Sequence, residues 1–337
     1  MQEKYRQKKA INELIESLLR QEARYLLVFV DGIFVTELSD IDDLPFAFCE
    51  ITKTHDLDGL QESKASHGAY LEIAAGVNLA RPIHLLFITT KKGNYNIANV
   101  INVDAHGKGK IIEEYVSLSR VLYMQRIFTQ LTVKQHAQVD YKKLSRLTKK
   151  ATQVSDFKIA QEEGSIAQIN YGAISGKVQE HLNVQLEGIN AHNKIYGWGE
   201  INAREQLALE VIVEHLSSQA VSDTLFKYVV RDDGIGSFVG KIAVPKGIKQ
   251  SNARLYNKNL LLGEKAVVHT APALEIYADD VAASHGATVG KLDEGALFYL
   301  QTRGFSFNGA VEFLTHAFLA EVRDYRHHDL GSINLWL

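Results

Sequence analysis

From about residue 69 to residue 281 the chain is a succession of short apolar runs, among them LEIAAGV, PIHLLFIT, KIIEEYVSL, HLNVQLEG, LALEVIVEHL, LFKYVV, GKIAVPKG and LEIYADDV. Gly, Asn, Asp, His and Lys separate them, and none lasts long enough to make a good helix, so this stretch must be built from strands and corners. HLNVQLEG shows the period most plainly: Leu182, Val184 and Leu186 fall on one face, and Asn183, Gln185 and Glu187 on the other. Short strands at near-regular spacing suit a sandwich, a barrel or a β-solenoid. Small residues at most corners and weak hairpin signals favour the solenoid, in which each side chain stacks on a similar one in the next coil. The hexapeptide pattern of left-handed solenoids is absent, and no strict self-similar repeat is visible.

The flanks change period. Ile11, Leu14, Ile15, Leu18 and Leu19 recur at helical spacing opposite Glu13, Glu16 and Arg20, which predicts one amphipathic helix packed against the body of the protein. LLVFVDGIFV then reads as a hairpin, because Asp31-Gly32 tolerates the positive φ angles of a tight turn. At the far end Asp293 suits the cap of a helix with Leu292, Ala296, Leu297 and Leu300 on one face, and Gly304 suits its stop. A second helix is expected from about Ser306 through Val311, Leu314, Phe318 and Val322. The expected division is an N-terminal helix and small β region over 1–68, a β core over 69–288 and a helical unit over 289–337.

Lys+Arg 37 against Asp+Glu 40 leaves a formal charge of -3, which supplies no broad basic field for nucleic acid phosphates. The N-terminus lacks the apolar segment of a signal peptide, and no run approaches the roughly 20 apolar residues of a membrane span. The single cysteine, Cys49, cannot form an internal disulfide, so the expectation is a reducing, cytoplasmic setting. Alone in FAFCEI, Cys49 reads as a small buried apolar residue rather than a reactive thiol.

Motifs for chemistry are weak. GIGSFVG, Gly234 to Gly240, lacks the helix that a phosphate-binding glycine loop requires, and reads as a turn. HGKGK, His106 to Lys110, reads as a solvated corner. No nucleotide-binding machinery is expected in this chain. The 13 histidines are scattered, and His327-His328-Asp329 lacks further ligands at fixed spacing. Asp279-Asp280 is the tightest acidic pair and raises one enzymatic alternative, a β-helix lyase or hydrolase acting on acidic polysaccharide, although neighbours on a strand face opposite ways. ASHGA occurs at Ala65 to Ala69 and again at Ala283 to Ala287, with no further match around the two copies.

Taken in order and spacing, GKIAV, NKNLLL, PALEIYADDV, HGATVGKLDE and LFYLQTRG between Gly240 and Gly304 resemble the SufB/SufD family of iron-sulfur cluster assembly proteins. The likeness extends more loosely through RPIHLLFIT, EEYVSLS and VEHLSSQAVSDTLFKYVV, and LVFVDGIFVTELS with a lone cysteine sits nearer the SufD branch. The resemblance implies a right-handed parallel β-helix, a short N-terminal α/β region and a C-terminal α-helical domain. It further implies a non-catalytic scaffold that pairs with SufB, docks the ATPase SufC through its helices, and shares iron or a nascent iron-sulfur cluster with SufB. The isolated chain could self-associate through the same end. Leu297, Leu300, Leu314 and Phe318 are the expected seam of the ATPase dock.

His285 has two readings. The family motif commonly places a cysteine two residues before this histidine, and the histidine is a candidate iron or cluster ligand; here Ala283 stands in the cysteine's place, which removes the soft thiolate that such chemistry most often uses. The alternative is a corner: Ser284, His285 and Gly286 shape the turn out of the last coil, with His285 bonded to backbone and Gly286 at an unusual φ.

Overall fold

The structure is a computed structural model that describes residues 2–41, 44–51, 67–118, 120–174 and 176–323. His327, His328 and Asp329 lie outside the described residues, as does the start of the first ASHGA.

From the fourth strand onward, successive strands alternate between two sheets. Sheet A holds β1 (Tyr25–Val30), β2 (Ile33–Phe34), β5 (Ile83–Thr89), β7 (Lys108–Ser117), β9 (Gln138–Arg146), β11 (Ile166–Ile174), β13 (His192–Ile201), β15 (Val221–Val230), β17 (Lys249–Leu261) and β19 (Asp280–Gly290). Sheet B holds β3 (Ala47–Glu50), β4 (His67–Ile73), β6 (Gly93–Val103), β8 (Tyr123–Val133), β10 (Ala151–Gln161), β12 (Lys177–Leu186), β14 (Gln206–His215), β16 (Ile235–Val244) and β18 (Val267–Ile276). Apart from the antiparallel pairs β1–β2 and β3–β4, every pairing is parallel, so the chain winds as a two-sheet solenoid of about 8 turns. The long strand-and-corner segment is therefore a stack of coils, the one of the three architectures that its small corner residues and weak hairpin signals favour.

Parallel pairing in register makes columns, since partners such as Glu180 and Leu209 face the same way. One column of the core runs Lys143, Tyr171, Gly197, Phe226. Glycine is required at 197, where a Cβ would lie 1.9 Å from the Phe226 ring. The turns from sheet B to sheet A are equally regular: Gly76, His106, His136, Gly164, Asn190 and Gln219 at the corners, and Gln250 at the bulge that opens β17, all adopt positive φ, at intervals of 26 to 31 residues. For the non-glycine residues this costs about 1 kcal/mol each. Each of the first six corner N–H groups donates to a carbonyl of the next corner, for example His106 to Gln135 at 3.0 Å and His136 to Glu163 at 2.8 Å, which offsets the strain.

The N-terminal elements close one end. Helix α1 (Gln2–Gln21) buries Ile11, Leu14 and Leu18 on the outside of sheet A against Leu26, Val28, Leu86, Ile88 and Val116. Leu19, expected on that seam, is exposed instead. The β1–β2 turn has φ 52° at Asp31 and 86° at Gly32, and Asp31 accepts hydrogen bonds from the Thr90 amide (2.7 Å) and hydroxyl (2.8 Å). Above the first coil Phe29 stacks on Phe87 at 4.6 Å, Phe34 packs on Phe48 at 5.0 Å and Tyr25 on Phe46 at 5.5 Å. These rings plug the interior. Alternation in β3 turns Phe48 inward and leaves Cys49 exposed, which corrects the buried reading. GIGSFVG is also corrected: only Gly234 is in the corner, and Ile235 onward is β16.

After β19 come α2 (Glu294–Thr302) and α3 (Phe307–Leu319). Asp293 caps α2, its carboxylate accepting from the Ala296 amide at 2.6 Å; Ser306 caps α3, accepting from Gly309 at 3.1 Å; Gly304, at φ 95°, joins them. All three positions match the sequence expectation.

Candidate docking site at the open end

β18 and β19 are the last strands of their sheets, so along 10 and 11 residues the outward edge of each has no strand partner among the described residues. Their side chains are all exposed or half-buried, where every second residue of an inner strand such as β12 is fully buried. β19 is nevertheless firmly seated. Its residues Ala282–Gly290 run in register with Asn252–Leu260 of β17, the Tyr256 hydroxyl donates to Ser284 at 3.1 Å, and the Asn259 amide group donates to the Thr288 carbonyl at 3.0 Å. An ordered but unpaired edge is a template for another chain.

His285 lies in the middle of β19 and is exposed; it is not at a corner, and Gly286 has no positive φ. The turn reading fails because β19 extends the column of β17 beyond this point. His285 pairs with Leu255, a fully buried core residue, so it stands on the core-facing side of the last coil, open only because no further coil covers it. Ala283, its neighbour on that face, packs against the core. Among the described residues no group of three or more His, Cys, Asp or Glu side chains is arranged to hold a metal ion. His285 thus presents a single imidazole at the mouth of the stack. Asp279 and Asp280 are both exposed, Asp280 opening β19.

Three residues beyond β19 begin the helices. α2 packs on α3, yet no residue of α2 is buried, and α3 buries only Ala310, Thr315 and Leu319. Leu297, Leu300 and Leu314 are half-buried. Phe318 turns instead to the outside of sheet A, joining Trp198, Leu225, Val229, Leu260, Leu319 and Val322. Phe298 is 69% exposed, and Tyr299, Phe305, Phe307 and Phe313 are exposed beside it in the same helical pair, with Phe305 and Phe313 5.6 Å apart. Five large exposed rings on α2, α3 and the turn between them make this face a candidate interaction surface. Sequence reasoning missed these rings because it looked for the seam; the signal was the FY and FSF pairs, too many aromatics for one buried stripe.

A second missed feature lies at the centre of the stack. Glu113, Lys143 and Glu180 occupy core-facing positions and are fully buried. Lys143 is 2.8 Å from Glu180 and 3.8 Å from Glu113, Ser155 donates to Glu180 at 3.0 Å, and Glu113 accepts from Tyr115 (2.6 Å), Thr129 (3.0 Å) and Tyr141. Burial raises the Glu180 carboxyl above the usual range, with Lys143 offsetting only part of it. The signal was a charge at core parity, as in Ile111, Glu113, Tyr115. Outside sheet A, Glu114 is sealed beside Arg146 and 3.0 Å from His84, whose other ring nitrogen faces Arg24 at 3.0 Å. Burial alone would raise the Glu114 carboxyl, but Arg146 and His84 outweigh it and hold it at about 2. The carboxylates, Lys143 and His84 of both networks are buried.

No helix among the described residues is long and apolar enough to cross a membrane. A family model described as "SUF system FeS cluster assembly, SufBD core domain" matches residues 87–318. The iron-sulfur cluster assembly protein SufD of Escherichia coli K12 is 28% identical over 316 residues, covering 88% of this chain and 74% of that protein. An iron-sulfur cluster assembly SufBD family protein of Synechocystis is 28% identical over 348 residues, 88% of this chain and 73% of its own length. The chloroplastic protein ABCI7 of Arabidopsis thaliana is 26% identical over 310 residues, 87% and 65% of the two chains. A two-sheet parallel solenoid carrying this core over more than two thirds of its length therefore belongs to the SufB/SufD family of iron-sulfur cluster assembly proteins, and within it is SufD-like.

Proposed function

We propose that this chain is a scaffold subunit of an iron-sulfur cluster assembly complex, with no turnover of its own. It pairs through the β18–β19 end with a SufB homologue, and the aromatic face of α2 and α3 docks the ATPase SufC. The observation that carries this reading is adjacency: an uncapped last coil leads, within three residues, into a helical pair with five exposed rings. A right-handed winding, a helical unit that acts as a domain, and a cytoplasmic setting belong to the same reading. The polysaccharide lyase alternative gains no support, since Asp279 and Asp280 are both exposed and the Escherichia coli and Synechocystis relatives are named as iron-sulfur cluster assembly proteins.

His285 faces the partner rather than solvent in such a pair, and an iron ion or nascent cluster, the cargo of the complex, would receive one ligand from it and the rest from the SufB homologue. Mixing the chain with the SufB and SufC homologues of its own organism and weighing the product tests the scaffold reading; a stable three-component mass is expected, and separate components at micromolar concentration would overturn it. Truncation after residue 290 is expected to abolish ATPase capture with the coils intact. His285→Ala is expected to lower cluster yield in the reconstituted complex while leaving its mass unchanged; full yield would remove the residue from the chemistry.

A further inference from the structure

The end of α3 is fastened to the coils in an unusual way. Lys227, buried on the outside of β15, donates to the Phe318 carbonyl at 2.6 Å, lies 4.9 Å from the Phe318 ring centre, and is 2.9 Å from the Glu321 carboxylate. Lys258 of β17 approaches the same carboxylate at 3.7 Å. Two residues on, the Arg323 guanidinium donates to Glu200 of β13 at 2.9 Å and lies 4.5 Å from the Trp198 ring centre. One short segment thus grips three consecutive strands of sheet A. The hydrogen bond from Lys227 holds the Glu321 carboxyl below the usual carboxylate range.

The rest of the helical pair has no such hold. α2 buries nothing, the exposed rings face away, and on the entry side only half-buried Leu292 joins the apolar cluster beneath the latch. The pair is therefore tied at two places: by covalent continuity with β19, the open edge, and at the end of α3, where Phe318, Leu319 and Val322 pack on Trp198, Leu225, Val229 and Leu260 and the Lys227–Glu321 and Arg323–Glu200 contacts fix that packing to β13, β15 and β17. Without the second tie it could swivel about Leu292 and Asp293, moving the edge strand alone.

We infer that the contacts of Glu321 and Arg323 with Lys227, Lys258, Glu200 and Trp198 form a latch that makes the helical pair and the last coils one rigid body, so that a displacement imposed on the helices reaches the open end as a tilt of the stack. The consequence for assembly rests on the docking reading above; the latch itself does not. Salt bridges at an exposed joint are individually weak, but here they bind a partly buried lysine and an aromatic face, and they act together.

The test uses the full chain with Cys49→Ser and spin labels at Gln301→Cys on α2 and Glu187→Cys beside β12, read by pulsed dipolar spectroscopy. One narrow distance distribution is expected for the intact latch, widening about twofold for Glu321→Gln with Arg323→Gln. A broad distribution with the latch intact, or an unchanged width in the double variant, overturns the inference. Should the double variant fail to fold, the intact chain in about 1 M salt serves, because screening of the exposed Glu321 pairs should give part of the same widening; no widening there is equally fatal. ATPase capture is measured on the same samples. Capture that fails with the latch intact sinks the docking reading and leaves the width result standing, whereas capture retained by the double variant separates docking from rigidity.

Discussion

The two ends of the solenoid solve the same problem differently. At the first coil, short antiparallel strands, a helix and a set of stacked rings cover the core; at the last coil, two long strands, β19 with Ala283, His285 and Ala287 on its core-facing side, have no further strand on their outward edges among the described residues. Solenoids need caps because each coil contacts only its neighbours. The contrast teaches that covering a coil takes dedicated elements, and it is the contrast on which the proposed pairing through the last coil rests.

The contrast is sharpest in stability. Phe29→Ala in the plug should cost about 3–5 kcal/mol in urea unfolding, while His285→Ala at the mouth should stay within about 0.5 kcal/mol. Equal losses would break the comparison. Between the ends, Lys143→Ala should cost about 3–5 kcal/mol by stranding two buried carboxylates. Combining Lys143→Met with Glu113→Gln and Glu180→Gln should recover most of that loss, which would show that the layer's charge is dispensable once its partners are neutral.

The pH response belongs to the enclosed coils. Burial lowers His215, bonded to Ser222 at 2.8 Å, from 6.5 to about 4. The unfolded chain therefore binds the extra proton first, so the contribution is complete above pH 6.5 and disappears as pH falls toward 4, worth up to about 3 kcal/mol. Unfolding midpoints measured across that window should lose much of their slope in His215→Asn. Glu114 acts lower: its contribution is present above about 4.5 and is lost as pH falls toward 2. Smallest of all, the β19 amides that point from the free edge should exchange hydrogen about tenfold faster than those of β8 and β10, and slow when the SufB homologue is added. Exchange that ignores the partner would place the association surface elsewhere.

Local periodicity was legible because a residue reports its own burial. Leu182, Val184 and Leu186 are buried as their spacing predicts, and the Asp293 and Ser306 caps and the Asp31-Gly32 turn stand where the residue types require. The regular corners were not legible, because His106, His136 and Gln219 are not residues that announce a positive φ; the bond to the next corner favours it. His285 was misread as a corner for a related reason. Its flanking Ser and Gly resemble a turn, and only the column rising from Leu255 reveals the strand. The exposed aromatic face was hidden because the exposure of Phe298 or Phe313 depends on what is missing around it. Cys49 shows the same limit on an edge strand, where one face has nothing to pack against.

In-register columns also act as a ruler. Inserting one whole coil, a length within the existing intervals of 26 to 31 residues, would move the aromatic plug and the mouth apart by one strand spacing, about 4.8 Å. Neither terminus would change its chemistry, so the span of such a subunit can be set independently of what it holds at either extremity.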